Sequence, residues 1–309
     1  MASWAAYPYI APLADDFNHR GLASGTPGGL SVGISVRDSS QWPGSMCDGG
    51  ANAPDMAYSF EPVGTVPHQP CPPPRAGSPR SIIAIPAGFE AVALARSPIY
   101  GAPDFTRREI FLALAKWVPD SRGQTVQENP NTTWRQIDST LGPEPIEFLG
   151  PPLSSPAGHS MIELLLEGGC QTIPWIAALE TADPARYDRI CRTVRTDGIY
   201  VEVPWLAPSK LLSDPNAVGI FGLWSLKYIR MTDLSISRLD GVEPTAQAIE
   251  SGAYLGSRGF FLYVNRTRTP PNLVFRFLLD DGWPRSAEAA FIPLSQSDLK
   301  AAMAEIRGP

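Results

Sequence analysis

The chain has 309 residues, 43 % of them hydrophobic and 18 % charged, with 33 Pro, 27 Gly and a formal net charge of −6. That is enough apolar material for one large domain or two lobes of ordinary size, and the periodic segments argue against disorder. Charges of both signs are mixed without a basic stripe, which argues against a nucleic-acid partner, and no apolar run reaches the ~18–20 residues of a membrane span.

In chain order, 7–19 (YPYIAPLADDFNH) carries apolar residues at helical spacing and predicts a first helix. Residues 31–36 alternate as a strand. A Gly/Ser/Pro-rich loop follows over 38–54, and a Pro-rich connection over 62–80. Residues 81–95 (SIIAIPAGFEAVALA) predict one or two buried strands with a bend at Pro86–Gly88. Residues 106–117 predict a helix with Thr106 at the N-cap and Glu109 three positions on, a capping box. A short helix or turn is expected over 132–138 and a strand over 145–149.

The stretch LGPPLSSPAGHSMIELLLEGGC, 149–170, reads as a strand end, a turn and an amphipathic helix over about 158–167 that stops at Gly168–Gly169. Such a turn is a place for an anion, on backbone N–H groups and the helix dipole. Yet there is no Arg or Lys from Leu149 to Cys170. Further on, a helix over 184–195 with Asp183 as cap, strands over 199–203, 217–224 and 259–264, and a helix over 244–251 are expected, then tail helices near 284–290 and 295–306. Strands alternating with helices give an α/β chain with mostly parallel sheets.

Four cysteines, Cys47, Cys71, Cys170 and Cys191, lie as two local pairs. Their spacing is not that of a zinc site. Two disulfides in an oxidising compartment are expected, with four buried free thiols as the alternative. No secretory signal is visible after Met1, so the expectation is a mature form or a start lying upstream. No nucleophile, metal or phosphate-loop motif is present in strand–helix context, and no spacing makes a carboxylate pair of Glu61 with Glu90 or of Asp55 with Asp197. No catalysis, metal or cofactor is assigned.

Several segments in fixed order carry a resemblance: LGPP..SS, EL(L)LEGGC, R..C...RTDG.Y.E, PNAVGIFG and DGVEPT...I..G.Y..SR..F.YV. With FTRREIFLALAKWVPD, YPYIAPLADDF and CDGGANAPDMA, they cover most of residues 3–265. The chain resembles the PstS-like phosphate-binding proteins of ABC transporters. The resemblance implies a two-lobed, periplasmic-binding-protein-like fold with mixed, mostly parallel sheets flanked by helices. It implies lobe 1 at 1–90 plus 252–309, lobe 2 at 91–251, and a ligand cleft between them. It further implies the pairings Cys47–Cys71 and Cys170–Cys191. A central strand is implied before the first loop, but only Met1 and Ala2 precede Ser3. An N-terminal strand missing from this chain, or supplied by a partner, is therefore expected.

The positions that match the family's oxyanion site depart from it. Where the first loop reads roughly Gly-Ser-Ser-Thr-Val-Tyr-Pro in the family, this chain has Ala2-Ser3-Trp4-Ala5-Ala6-Tyr7-Pro8. The second loop keeps Ser39 but carries Trp42 and Pro43. After Asp55, a polar run is replaced by Tyr58-Ser59-Phe60-Glu61. Ser154 and Ser155 remain in the turn, but Ser-Gly-Thr-Arg-Asp has become Ser155-Pro156-Ala157-Gly158-His159. The loop after RTDG.Y.E, which contains Asp197, reads Val203-Pro204-Trp205-Leu206-Ala207. The candidate cleft residues are thus Ser3, Trp4, Ser39, Trp42, Asp55, Phe60, Ser154, Ser155, His159, Asp197 and Trp205. The four aromatics either line a pocket for an apolar ligand or fill it against a partner. His159 is expected to be a solvated first-turn residue, and Arg195 with Asp197 to brace a turn rather than touch ligand.

The expectation is a non-catalytic periplasmic solute-binding protein of phosphate-transporter ancestry. It would close on a small-molecule ligand, an oxyanion by ancestry or an apolar one, and hand it to an ABC permease, with weak or no phosphate binding. The alternative is a ligand-free accessory subunit of a larger protein complex.

Overall fold

The structure is a computed structural model. It describes residues 2–3, 14–15, 17–19, 36–37, 46, 54–62, 82–100, 104–203, 208–222, 234–266, 268–269, 292–294, 297, 300–301 and 304. The chain divides into two compact units, Met1–Glu90 with Arg258–Pro309, and Ala91–Ser257. It crosses between them inside two strands, β4 (Ile82–Arg96) and β11 (Ser257–Asn265).

In the first unit, β1 (Ala2–Ser3) lies between β2 (Val36–Arg37) and β3 (Met56–Pro62), parallel to both. A two-residue strand thus occupies the place where a missing strand was expected. β11 runs antiparallel to β3, with Phe260 opposite Phe60. Met46, Ala57 and Tyr263 are buried here, with Ile82, Ala84 and Phe261 packed against them. β12 (Ile292–Pro293) adds to β4 at Phe89 and Gly88. Of the early helix, residues 14–15 and 17–19 are helical, as are Ser297, Lys300, Ala301 and Ala304 in the tail; the helix expected near 284–290 lies outside the described residues.

The segment 81–95 forms one strand rather than two. Gly88 takes φ 148°, so a residue without a side chain absorbs the expected bend and β4 runs on for 15 residues.

In the second unit, β4 pairs antiparallel with β9 (Val218–Gly222), and β9 parallel with β7 (Phe148–Gly150). β7 is parallel in turn to β8 (Tyr200–Glu202), and β10 (Ser235–Ile236) pairs with the end of β4. β5 (Trp117–Pro119) and β6 (Val126–Glu128) make a separate antiparallel hairpin. The sheets are mixed, with the parallel pairs inside each unit. Residues 91–96 of β4 are buried without alternation, as in a strand covered on both faces. Ala93, Ala95, Leu149, Val203, Leu211, Ala217, Phe221 and Leu234 form one core cluster. Trp134 stacks on Phe105 at 4.7 Å and meets the Phe148 ring edge-on at 5.6 Å.

The helices begin where the local chemistry places them. α1 (Arg107–Leu114) has its capping box: Glu109 N donates to Thr106 Oγ1 at 3.1 Å, and Thr106 N to Glu109 Oε2 at 2.7 Å. α2 spans Trp134–Ile137. α3 covers 156–170 and opens into a π-helical stretch at Ile162–Glu167. α4 (Pro184–Cys191) is capped by Asp183, whose carboxylate accepts from Arg186 N at 3.1 Å. Two shorter segments follow, α5 (Pro208–Ser213) and α6 (Ala246–Glu250).

Cys170 and Cys191, both fully buried, form a disulfide across a sequence separation of 21, joining the ends of α3 and α4. Cys47 and Cys71 lie outside the described residues. Replacing Cys170 and Cys191 together by Ala is expected to lower unfolding free energy by about 3 kcal/mol, the loop-closure value for such a bridge. Urea unfolding of the two proteins measures it.

Glu90 and Arg258, the residues at which β4 leaves and β11 re-enters the first unit, form an ion pair at 2.9 Å with side chains 3 % and 8 % exposed. Glu90→Leu alone should cost about 3–5 kcal/mol, because it removes the carboxylate that faces a buried guanidinium. The double change with Arg258→Met should cost clearly less, and a denaturant-unfolding cycle distinguishes the two.

Candidate functional site

In parallel α/β sheets, ligands sit outside the carboxyl ends of the strands. In the second unit that edge is made by the residues after Gly150 of β7, Glu202 of β8 and Gly222 of β9. The turn 151–155 stands there, and its geometry is tight. Ser155 N donates to Pro152 O at 2.8 Å, and Ser155 Oγ donates to the same carbonyl at 2.6 Å. The Oγ also accepts from Gly158 N at 3.1 Å, and Ser155 O accepts from His159 N at 3.0 Å. Ser155 is thus a helix N-cap whose hydroxyl is already engaged on both sides. A Cβ on Gly158 would fall 2.3 Å from Pro152 O, so only glycine lets the chain fold back this closely.

Two residues of β8 hold the turn from the side. Tyr200 donates its hydroxyl to Pro151 O at 2.5 Å, with its ring over Gly150, where any Cβ would clash. Burial is the main cause that pushes the Tyr200 hydroxyl well above its usual pKa, with the Glu202 charge adding to it. Glu202 accepts from Leu153 N at 3.1 Å through Oε1. The chain's own carboxylate therefore lies on one of the turn's N–H groups. Sequence reading does not single out Glu202 as a site residue, although it is the last residue of the stretch RTDG.Y.E and lies in the alternating strand 199–203. Ser154 and His159 are exposed at the turn and the first helical turn.

Asp197 lies elsewhere. It precedes β8 by three residues, while the turn follows β7, and the two strands are parallel with Phe148 opposite Tyr200. Asp197 is thus at the amino edge of the sheet, roughly 10 Å or more of strand away from Ser155. There it accepts from Arg195 Nε at 2.9 and 3.0 Å and from Nη2 at 2.5 Å. Arg195, only 4 % exposed, also donates to Ala113 O at 3.0 Å and Asn131 O at 2.8 Å. Asn129 donates to Leu112 O and Ala115 O, both at 2.8 Å. These groups tie the end of α1 to the 129–131 loop and line a polar depression of ≈ 330 Å³ with Lys116, Glu128 and Thr196. The arrangement braces the fold and leaves no guanidinium N–H directed at a ligand.

The first unit shows the same division. Ser3 ends β1, and Phe60 lies near the carboxyl end of β3, two residues beyond Tyr58, which is paired with Ala2. Asp55 precedes β3 at the opposite end, where it pairs with Arg268 at 3.0 Å and its carbonyl accepts from Asn265 N and Thr269 Oγ1. Asp55 and Asp197 are therefore not at the strand ends that carry Ser3, Phe60 and the serine turn. Trp4, Ser39, Trp42 and Trp205 lie outside the described residues. Among the described residues no group of three or more His, Cys, Asp or Glu could hold a metal ion, and no helix is long and apolar enough to cross a membrane.

Mixed sheets with parallel strands and flanking helices, in two units joined by crossing strands, define a periplasmic-binding-protein-like α/β fold. Solved structures of phosphate-binding proteins share it. A possible phosphate-binding protein from Planctomyces limnophilus is 15 % identical over 99 % of this chain and 96 % of its own, with a TM-score of 0.66. PstS from Borrelia burgdorferi is 16 % identical over 96 % and 98 %, TM-score 0.60. An ABC-type phosphate transport receptor from Vibrio cholerae is 13 % identical over 94 % and 99 %, TM-score 0.58. At these identities the likeness establishes the fold. No family model and no curated protein matches the sequence.

The hydrogen bonds from Arg195 hold the Asp197 carboxyl below its ordinary value of 3.8. A lowered folded-state pKa adds stability that is complete above the unfolded value and is lost as the pH falls through the folded one. Asp197→Asn should therefore be less stable than the wild type at neutral pH. The gap should close once the pH drops below the ordinary carboxylate range. Urea unfolding from about pH 6 to about pH 2 checks it; a gap constant with pH would contradict it.

Proposed function

We propose that the chain is a non-catalytic solute-binding protein of phosphate-transporter ancestry, working in the periplasm and delivering its ligand to an ABC permease, with phosphate bound weakly or not at all. The observation that carries the reading is the turn 151–155. It stands at the carboxyl edge of the parallel strands, where the resemblance to phosphate-binding proteins expects an oxyanion turn. Its Ser155 hydroxyl is engaged within the turn, and no Arg or Lys occurs from Leu149 to Cys170. A dehydrated dianion without charge partners costs several kcal/mol, which removes the micromolar affinity expected of a working receptor. The buried Cys170–Cys191 bridge supports an oxidising compartment.

Titration of the protein with inorganic phosphate, followed by tryptophan fluorescence and calorimetry, should give no saturable response below millimolar concentration. Saturation at micromolar phosphate would overturn the reading. A flat titration from a chain that purifies inside a larger complex would instead favour an accessory subunit.

A further inference from the structure

The polar depression of ≈ 330 Å³ at the amino edge of the second unit's sheet lies apart from the serine turn, and its floor and its rim differ in chemistry. The floor is closed. The buried Arg195 guanidinium spends its N–H groups on Asp197 and on the carbonyls of Ala113, Asn131 and Asn129, so it donates nothing outward. Arg195 and Asp197 also cancel in charge. The rim is open. Lys116 is pinned by its backbone, its N–H bonding Thr193 O at 2.8 Å and its carbonyl accepting from Asn129 N at 2.9 Å. Its Nζ stands 5.7 Å from the centre of the Trp117 ring. Glu128 lies opposite Trp117 across the β5–β6 hairpin. Lys116 and Glu128 thus border one depression with opposite charges, yet neither makes an ion pair among the described residues.

We propose that this depression binds a small zwitterion of the amino-acid type, with its carboxylate on Lys116 and its ammonium on Glu128. An anion alone meets like charge at Glu128, and a cation alone meets it at Lys116, so either ion gains one attraction and takes on one repulsion. A molecule that carries both charges gains two attractions. Thr196, exposed at the rim, adds a neutral hydroxyl that can donate or accept. The volume leaves room for a side chain beyond the two charged groups. The inference goes beyond the reading of the serine turn and does not depend on it.

L-Alanine, propionate and ethylammonium separate the two charges, since propionate lacks the ammonium and ethylammonium lacks the carboxylate. Each is titrated into the isotope-labelled chain, and the amide NMR shifts of Lys116, Glu128 and Thr196 are followed. L-Alanine should saturate these shifts in the millimolar range and bind about tenfold more tightly than either fragment, as the loss of a hydrogen bond to a charged group implies. The advantage should shrink as salt rises. Lys116→Gln and Glu128→Gln should each weaken L-alanine by about the same tenfold, with thermal unfolding as a check on the fold. No saturation at these residues overturns the proposal. So does equal affinity for L-alanine and either fragment, or an L-alanine affinity unchanged in either variant. If a variant fails to fold, the comparison of the three probes on the wild type decides. Micromolar phosphate binding would defeat the functional reading above and leave these ratios untouched.

Discussion

The placement of the serine turn depends on a contact far from it, the approach of α3 to α1. A Cβ on Gly169 would lie 2.0 Å from Arg107 O, and one on Gly168 would lie 2.7 Å from the Arg107 guanidinium. Any side chain there would push the helices apart. Arg107 is itself fixed, since its Nε meets Asp240 Oδ2 at 2.8 Å and its backbone N donates to Oδ1 at 3.1 Å. Asp240 holds this position at φ 50°, a strained conformation for a residue with a side chain, and its N–H bonds Phe105 O at 2.8 Å. The disulfide closes the same end of α3. The other end of that helix carries the turn, so its position is inherited from glycines and an aspartate that touch no ligand.

The two edges of the second unit's sheet have different work. At the amino edge, Arg195, Asp197 and Asn129 engage backbone carbonyls at the end of α1 and make a rigid joint. At the carboxyl edge, the turn is compact, its hydroxyl is used internally, and its one bonded charge is Glu202. Among the described residues of this edge, no Lys or Arg in 149–170 offers charge attraction to an anion.

Local chemistry was legible in the sequence. The capping box at Thr106 and Glu109 and the cap at Asp183 are short-range devices, and they start helices where expected. Helix ends were less legible. The helix read over 106–117 stops at Leu114 because Asn129 and Asn131, 17 and 19 residues away, take the carbonyl of Leu112. The helix read over 184–195 stops at Cys191, where the disulfide holds it and Val194 bridges to Ala115. The π-helical turn at Ile162–Glu167 leaves no mark in the apolar spacing. The turn that carries Ser154 and Ser155 is legible because it has a sequence signature. Asp55 and Asp197 were grouped with them because sequence order does not say at which end of a strand a flanking residue lies. The bond between Glu202 and Leu153 joins residues 49 apart, which sequence order does not reveal.

The ion pair between Glu90 and Arg258 spans 168 residues of sequence. The first unit is assembled from the two ends of the chain, and the second is the continuous stretch between them. During synthesis, the middle unit therefore has all its strands available while the first still lacks β11, its central antiparallel partner. Until Arg258 arrives, Glu90 lies on an incomplete sheet and lacks this ion pair. Folding order is thus imposed by connectivity: the inner unit can mature early, and the outer one closes late around a long loop, whose closure slows the step.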